Sequence, residues 1–269
     1  MGSEMCIRDR LQVGATEIGQ GADTVFSQMA AETLHMDISR VHIVTQQDTD
    51  VTPFDTGAYA SRQSFVTGTA VKECAQQLKQ KILEYARTLV PGNVDRLELE
   101  DGYILADGKP AISLEDLAME SYYSLSNSSV LTAEVSRQVK KNTVASGCCF
   151  AEVEVDMKLG KIKVLDIVNV HDSGTLLNPQ LAAMQVHGGM FMGIGYGVSE
   201  QLLIDEKTGR PLNGTLLDYK MMTMMDTPDL TAEFVELNDP MGPYGNKALG
   251  EPPACLLYTS PSPRDGLLS

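Results

Sequence analysis

The chain has 269 residues, 43% of them hydrophobic, enough to bury one large core or two smaller ones. Its formal net charge of −15 argues against nucleic acid and anionic membrane surfaces as partners. No run of 18 apolar residues is present, so no membrane-spanning helix is expected.

The first ten residues, MGSEMCIRDR, and the last fifteen, CLLYTSPSPRDGLLS, fit no element pattern and resemble translated sequencing-adapter sequence. They are set aside as non-native, and residues 11–254 are read as an interior piece of a longer protein. Residues 11–18 read as a strand feeding the turn Gly19-Gln20-Gly21. A helix follows over 23–34, with Val25, Phe26, Met29 and Thr33 near helical spacing. Residues 41–45 read as a strand, 48–59 as a polar loop around Pro53 and Gly57, and 63–89 as a long helix ended by Pro91-Gly92-Asn93. Asp101-Gly102 is a two-residue hairpin signal between strands 96–100 and 103–105. Ser113 opens a short helix to 122, and 124–129 is a Ser/Asn-rich loop. Residues 150–157 and 161–170 form a second hairpin, 179–196 a helix, and 200–205 with 211–213 a hairpin-like turn around Lys207-Thr208-Gly209. Residues 231–237 are the last strand. Helices mixed with antiparallel hairpins place the chain in the α+β class.

Cys6 and Cys255 fall in the set-aside ends, and Cys74, Cys148 and Cys149 make a poor disulfide framework. No Cys/His spacing suggests zinc or an iron–sulfur cluster. A reducing, cytoplasmic setting is expected. Four of the fourteen methionines fall at 221–225 and read as core or subunit packing.

Four runs carry polar groups where elements start or stop. In residues 14–24, Gly19 and Gly21 let backbone approach a ligand, and the helix behind them offers N–H groups and its positive dipole end as an anion site. Gln20 adds an amide donor and acceptor. The glycine spacing is not the dinucleotide fingerprint, and a plain turn capped by Asp23 or Thr24 fits as well. In residues 54–64, the small residues Ala58, Ala60 and Ser61 expose backbone before the long helix, with Ser61 as an N-cap the alternative. The third run holds Asn169-Val-His-Asp-Ser-Gly174 and Gln185-Val-His-Gly-Gly189. His171 and His187, sixteen residues apart without further ligands, read as hydrogen-bonded structural histidines, and Asp172 as a turn residue or cap. Gln185 sits on a Gly-rich helix where Gly188 and Gly189 permit close packing. The fourth run, residues 247–253, sets Glu251 between Gly250 and the rigid Pro252-Pro253. A carboxylate held this way suits a general base, with a plain loop as the alternative.

The segments GATEIGQGADTVFSQM, DTDVTPFDTGAYASRQSFVTG, NVHDSGTLLNPQLAAMQVHGGM and KALGEPP, in this order and spacing, resemble the molybdenum hydroxylases of the xanthine dehydrogenase/aldehyde oxidase type. The likeness covers residues 11–254 and corresponds to the C-terminal portion of the molybdenum-binding subunit, so an incomplete α+β molybdopterin-binding domain is implied. It implies molybdenum carried by the dithiolene of molybdopterin, or of molybdopterin cytosine dinucleotide, without protein ligands. Gly19, Gln20, Gly21, Tyr59, Ala60, Ser61 and Gln185 would surround the cofactor, with Ala60 near the molybdenum. Glu251 would be the catalytic base, taking a proton from the oxygen nucleophile that attacks an electron-poor ring carbon. Water, not O₂, would supply that oxygen. The implied substrate is a purine such as xanthine or hypoxanthine, with another N-heterocycle or an aldehyde as the alternative. Electrons would pass to partner subunits carrying 2Fe–2S clusters and FAD, hence a hetero-oligomer. The family's substrate-orienting Arg, Phe and Glu lie upstream of residue 11, so this piece alone is expected to bind cofactor without turnover.

Overall fold

The computed structural model describes residues 9–254 apart from 45, 47, 49, 126, 139 and 140. The two segments read as non-native thus lie outside the described residues, except at Asp9 and Arg10. These two are ordered into strand β1 (Asp9–Gln12), which pairs in parallel with β2 (Val41–Val44) through Asp9↔Val41 and Arg10↔His42. The strand therefore starts before residue 11 and ends well short of 18. The chain divides into two compact units, Met1–Lys141 and Asn142–Ser269.

In the first unit, helix α1 (Ala22–Leu34) is the crossover between the parallel strands β1 and β2. It buries Val25, Phe26, Met29, Ala30 and Leu34 and packs on α2 (Gly68–Leu89). The facing stripe of α2 is Val71, Ala75, Ile82 and Ala86, at the spacing of one helix face. Each large side chain buried there contributes about 1.5–3 kcal/mol. A π-helical turn, Gln63–Thr67, precedes α2, so the long helix expected from 63 onward changes pitch at its start. Two residues beyond the strand, Gly14 lies against the 53–55 loop: a Cβ there would sit 2.1 Å from the Pro53 carbonyl oxygen.

A meander of β3 (Leu97–Glu100), β4 (Tyr103–Ala106) and β5 (Lys109–Ser113) follows. Asp101 and Gly102 have φ of 45° and 78°, the paired positive values a tight primed turn needs. Asp107-Gly108, at 50° and 78°, makes the second turn and brings in β5, which the sequence reading omitted although the same Asp-Gly signal stands there. Helix α3 (Leu114–Tyr123) begins at Ser113, whose hydroxyl accepts the Asp116 N–H at 3.1 Å.

In the second unit, β6 (Ser146–Asp156) and β7 (Lys161–Asp172) form the long hairpin expected. Strand β8 (Asp229–Phe234) pairs in parallel with β7, with α4 (Pro179–Val198) in the crossover. Asn178 caps α4, its side-chain oxygen accepting the Leu181 N–H at 3.0 Å, and Pro179 takes the first helical position. The core joins Ile167 of β7 to Val186, Met190 and Ile194 of α4 and to Met222. Of the methionines at 221–225, Met222 alone is buried and Met224 and Met225 are exposed, so the core reading holds for one of the four. The hairpin expected over 200–213 is reduced to a single bridge, Ile204↔Pro211. Both units mix helices with strands, two of the strand pairings being parallel, and the fold is α+β.

Candidate functional site

The Gly19-Gln20-Gly21 turn needs its glycines, with φ of 99° and 86° at the two positions. Its backbone donors are not open to a ligand. The Glu17 carboxylate accepts the N–H groups of Gly19 at 2.7 Å, Gly21 at 3.1 Å and Asp23 at 3.0 Å. The anion site expected at the start of α1 is thus filled by the chain's own carboxylate, and neither Asp23 nor Thr24 acts as the cap. Burial acts to raise the Glu17 carboxyl, but N–H groups of Asp23, Gly21, Gly19 and Gln20 outweigh it and hold it below its ordinary value. A second anion at this helix end would meet that charge. Burial and the charge of Glu17 already raise the neighbouring Asp23 carboxyl.

The Gln20 side chain is fully engaged on one side. Its Oε1 accepts the Ile18 N–H at 2.7 Å, and its Nε2 donates to the Thr16 carbonyl at 3.0 Å and to Gln63 Oε1 at 2.5 Å. Gln63 in turn donates to the Thr16 carbonyl at 3.1 Å and is buried. The structure therefore brings the first run and the second together through Gln63, a residue to which the sequence reading gave no role.

Ala60 and Ser61 have φ of 52° and 51°, two consecutive non-glycine residues in the left-handed region. Each such residue costs about 1–2 kcal/mol, and this strain persists only where the surroundings impose it. Asp55 imposes it here: it accepts the Gly57 N–H at 2.8 Å, the Arg62 guanidinium at 2.6 Å and the Thr67 hydroxyl at 3.1 Å. Burial works to raise the Asp55 carboxyl, but these partners prevail and hold it below its ordinary value. The Arg62 guanidinium also lies 5.9 Å from the Tyr59 ring centroid. Tyr59 and Ala60 are exposed on this frame, and Ser61 is not a helix N-cap, since the π-helical turn begins two residues later.

In the second unit the run holding Glu251 is fastened at both ends. At its start, Lys247 Nζ lies 2.5 Å from Asp172 Oδ2, with the side chains only 11% and 8% exposed. The Lys247 N–H also donates to the Ser173 carbonyl at 2.6 Å. Asp172, expected as a turn residue or cap, does accept the Gly174 N–H two residues on, at 3.0 Å, and is also half of a buried ion pair. Burial would raise its carboxyl, but the Lys247 ammonium and the Gly174 N–H outweigh that and hold it below its ordinary value. At the far end, the buried Pro253 accepts the Asn169 side-chain amide at 3.4 Å. Pro253 also seats on α4 at Gly189, where a Cβ would come within 2.7 Å of the Pro253 Cβ. A Cβ at Gly188 would meet nothing within 4 Å among the described residues, so of the two glycines it is Gly189 that packs closely. The helix carrying the half-buried Gln185 and the run carrying the exposed Glu251 are thereby packed on each other.

His171 departs from expectation. It is fully buried, yet among the described residues neither ring nitrogen has a hydrogen-bond partner. Burial lowers its pKa against the opposing charge of Asp172, favouring the neutral imidazole. Among the described residues no group of three or more His, Cys, Asp or Glu could hold a metal ion. The polar groups these elements carry are side-chain amides and backbone, with the N–H donors of Gly19, Gly21 and Asp23 already taken by Glu17.

A family model described as the molybdopterin cofactor-binding domain matches residues 10–228. The chain is 50% identical over 246 residues to the xanthine dehydrogenase molybdenum-binding subunit of Escherichia coli O157:H7, covering 90% of this chain and 33% of that protein. It is 27% identical over 245 residues to the nicotine 6-hydroxylase large subunit of Paenarthrobacter nicotinovorans, covering 88% of this chain and 30% of that one. Among solved structures, quinoline 2-oxidoreductase from Pseudomonas putida 86 superposes with a TM-score of 0.83 at 26% identity, over 93% of this chain and 32% of that one. The chain spans about a third of the length of these relatives.

Proposed function

This chain belongs to the molybdopterin cofactor-binding domain family, and on that premise we propose that it is part of the molybdenum-binding subunit of a hydroxylase acting on a purine such as xanthine or hypoxanthine. Residues 11–254 would form the C-terminal portion of that domain, with residues 1–10 and 255–269 adapter-like. The net change is R–H + H₂O → R–OH + 2 e⁻ + 2 H⁺. Molybdenum in a pterin dithiolene, when bound, would supply the two-electron acceptor and the activated water. Glu251 receives the proton of the water-derived nucleophile on a carboxylate oxygen and, being exposed, returns it to solvent. Base catalysis of this kind is worth about 10²–10⁴-fold.

The observation that carries the reading is the double anchorage of the Glu251 run, by Lys247–Asp172 at one end and Pro253 against Asn169 and Gly189 at the other. A positioned base needs such a hold, whereas a plain surface loop has no use for a buried ion pair. Gln20, Tyr59, Ala60, Ser61 and Gln185 would hold the pterin through amide and backbone groups, with Gly19 and Gly21 shaping the turn beside it and Ala60 nearest the metal. The pterin phosphate would bind away from the α1 N-terminus, where Glu17 sits. The two electrons would leave through partner subunits bearing 2Fe–2S clusters and FAD, in a cytoplasmic hetero-oligomer. This chain alone would not turn over. The likeness to nicotine 6-hydroxylase and quinoline 2-oxidoreductase favours a second reading, in which the substrate is another N-heterocycle; an aldehyde is the further alternative.

Metal analysis and a substrate panel test the proposal on the full-length parent. The separated subunit is expected to hold stoichiometric molybdenum and pterin without iron, and to oxidise xanthine or hypoxanthine ahead of quinoline and aldehydes. Stoichiometric iron on this subunit, or no molybdenum, would contradict it.

A further inference from the structure

We infer that Gln63 is a positioning residue for Gln20: it holds the second Nε2 hydrogen of Gln20 and so sets what that amide can offer a bound cofactor. The inference rests on the reading of Gln20 as a cofactor contact. The orientation of the Gln20 amide is fixed by groups that cannot reverse their roles. The Ile18 N–H can only donate, so its partner at 2.7 Å is the amide oxygen. The Thr16 carbonyl can only accept, so its partner at 3.0 Å is the amide nitrogen. The remaining Nε2 hydrogen faces Gln63 at 2.5 Å, and Gln63 must present its oxygen there. Its own nitrogen then falls on the same Thr16 carbonyl, at 3.1 Å. Each amide thus confirms the other's orientation.

Gln20 has two N–H donors and both are spent, one on Thr16 and one on Gln63. Its oxygen has used one of two acceptor positions. While Gln63 is in place, Gln20 offers one acceptor position and no donor. Removing the Gln63 oxygen releases one donor.

Gln63 is suited to hold its place. It is 8% exposed and opens the π-helical turn Gln63–Thr67, a feature frequent where function constrains a helix. Asp55 binds Arg62 just before that turn and Thr67 at its last residue. Glu17 fixes the backbone around Gln20 through Gly19, Gly21 and Asp23. Backbone and side chain of Gln20 are therefore held by separate devices. On the side chain, Ile18 and Thr16 act locally and Gln63 from 43 residues away.

The test uses the full-length parent with its cofactor, as Gln20→Ala, Gln63→Leu and the double variant. Molybdenum content is measured first, then the Mo(V) electron paramagnetic resonance line positions of partly reduced protein. The expected result is a line shift in Gln63→Leu and, in the double variant, the spectrum of Gln20→Ala with nothing added. Wild-type lines in Gln63→Leu, beside shifted lines in Gln20→Ala, would overturn the role of Gln63 and leave Gln20 as a contact. An equal further shift on the Gln20→Ala background would overturn it too, since Gln63 would then act on its own. Wild-type lines and molybdenum content in Gln20→Ala would sink the reading of Gln20 and this inference with it. If Gln63→Leu fails to load molybdenum, Gln63→Met, which removes the acceptor toward Gln20 while filling more of the same volume, takes its place with the same expected shift. Wild-type lines in Gln63→Met, beside shifted lines in Gln20→Ala, would then refute the inference.

Discussion

Gly189→Ala in the full-length parent should disable catalysis without emptying the site, while Gly188→Ala, one residue earlier on the same helix, should not. A Cβ at 189 would lie 2.7 Å from the Pro253 Cβ and 3.0 Å from the Ala254 nitrogen, against 3.4 Å for the closest ordinary contact, so Pro253 must withdraw by about 0.7 Å. Neither neighbour is a flexible side-chain end, and overpacking of this kind costs about 1–3 kcal/mol. Pro253 is two residues from Glu251, and a misplacement of about 1 Å in a reacting group can cost about 10²-fold in rate. Reduction of the cofactor by substrate, normalised to bound molybdenum, should therefore fall by roughly ten- to a hundredfold in Gly189→Ala. At Gly188 an added Cβ meets nothing within 4 Å, and the helix gains about 0.5–1 kcal/mol from losing an interior glycine. Rapid-mixing reduction and thermal unfolding of both variants decide the matter. Equal rates in the two would refute the packing of the Glu251 run on α4 as the means of positioning.

Lys247→Met leaves Asp172 charged and buried without its partner, and should cost about 3–5 kcal/mol of unfolding free energy. Most of that loss should return in the double variant with Asp172→Leu, and denaturant titration measures both. Stability should fall on acidification in two windows. His171 has its folded pKa lowered by burial, so its contribution is present above the unfolded value of about 6.5 and is lost as pH falls through that value toward the folded one. His171→Leu should remove this first window from the pH dependence of the unfolding midpoint. Glu17, Asp55 and Asp172 have lowered folded pKa values, so their contribution is present above about pH 4 and is lost as pH falls through those lowered values. Asp172→Asn should flatten this second window.

The elements with local causes were legible in the sequence. Asp101-Gly102 marks its hairpin, Ser113 marks a helix start, and Gly19-Gln20-Gly21 marks the turn before α1. The site partners were not legible, because they are joined through space by single side chains. Glu17 reaches forward six residues to Asp23, Gln20 pairs with Gln63 43 residues on, and Lys247 with Asp172 across 75. No periodicity encodes such contacts. The anion site misread at α1 has the same origin: helix geometry shows that donors exist there, but not that Glu17 bends back to fill them. The parallel docking of β8 on β7 likewise depends on how α4 returns the chain, which the alternation of residues in β8 does not record. The left-handed backbone of Ala60 and Ser61 is imposed by Asp55 and Arg62 and contradicts the residues' own preferences.

The most direct test of the account is Glu251→Gln in the full-length parent. The substitution keeps the shape and reach of the side chain within a run still anchored by Lys247 and Pro253, and removes only the capacity to take a proton. Reduction by substrate per bound molybdenum, followed by rapid mixing, should fall by at least about 10²–10⁴-fold, with molybdenum and pterin content unchanged. A normal rate per molybdenum, or a loss of cofactor with the remaining loaded enzyme turning over normally, would contradict Glu251 as the base.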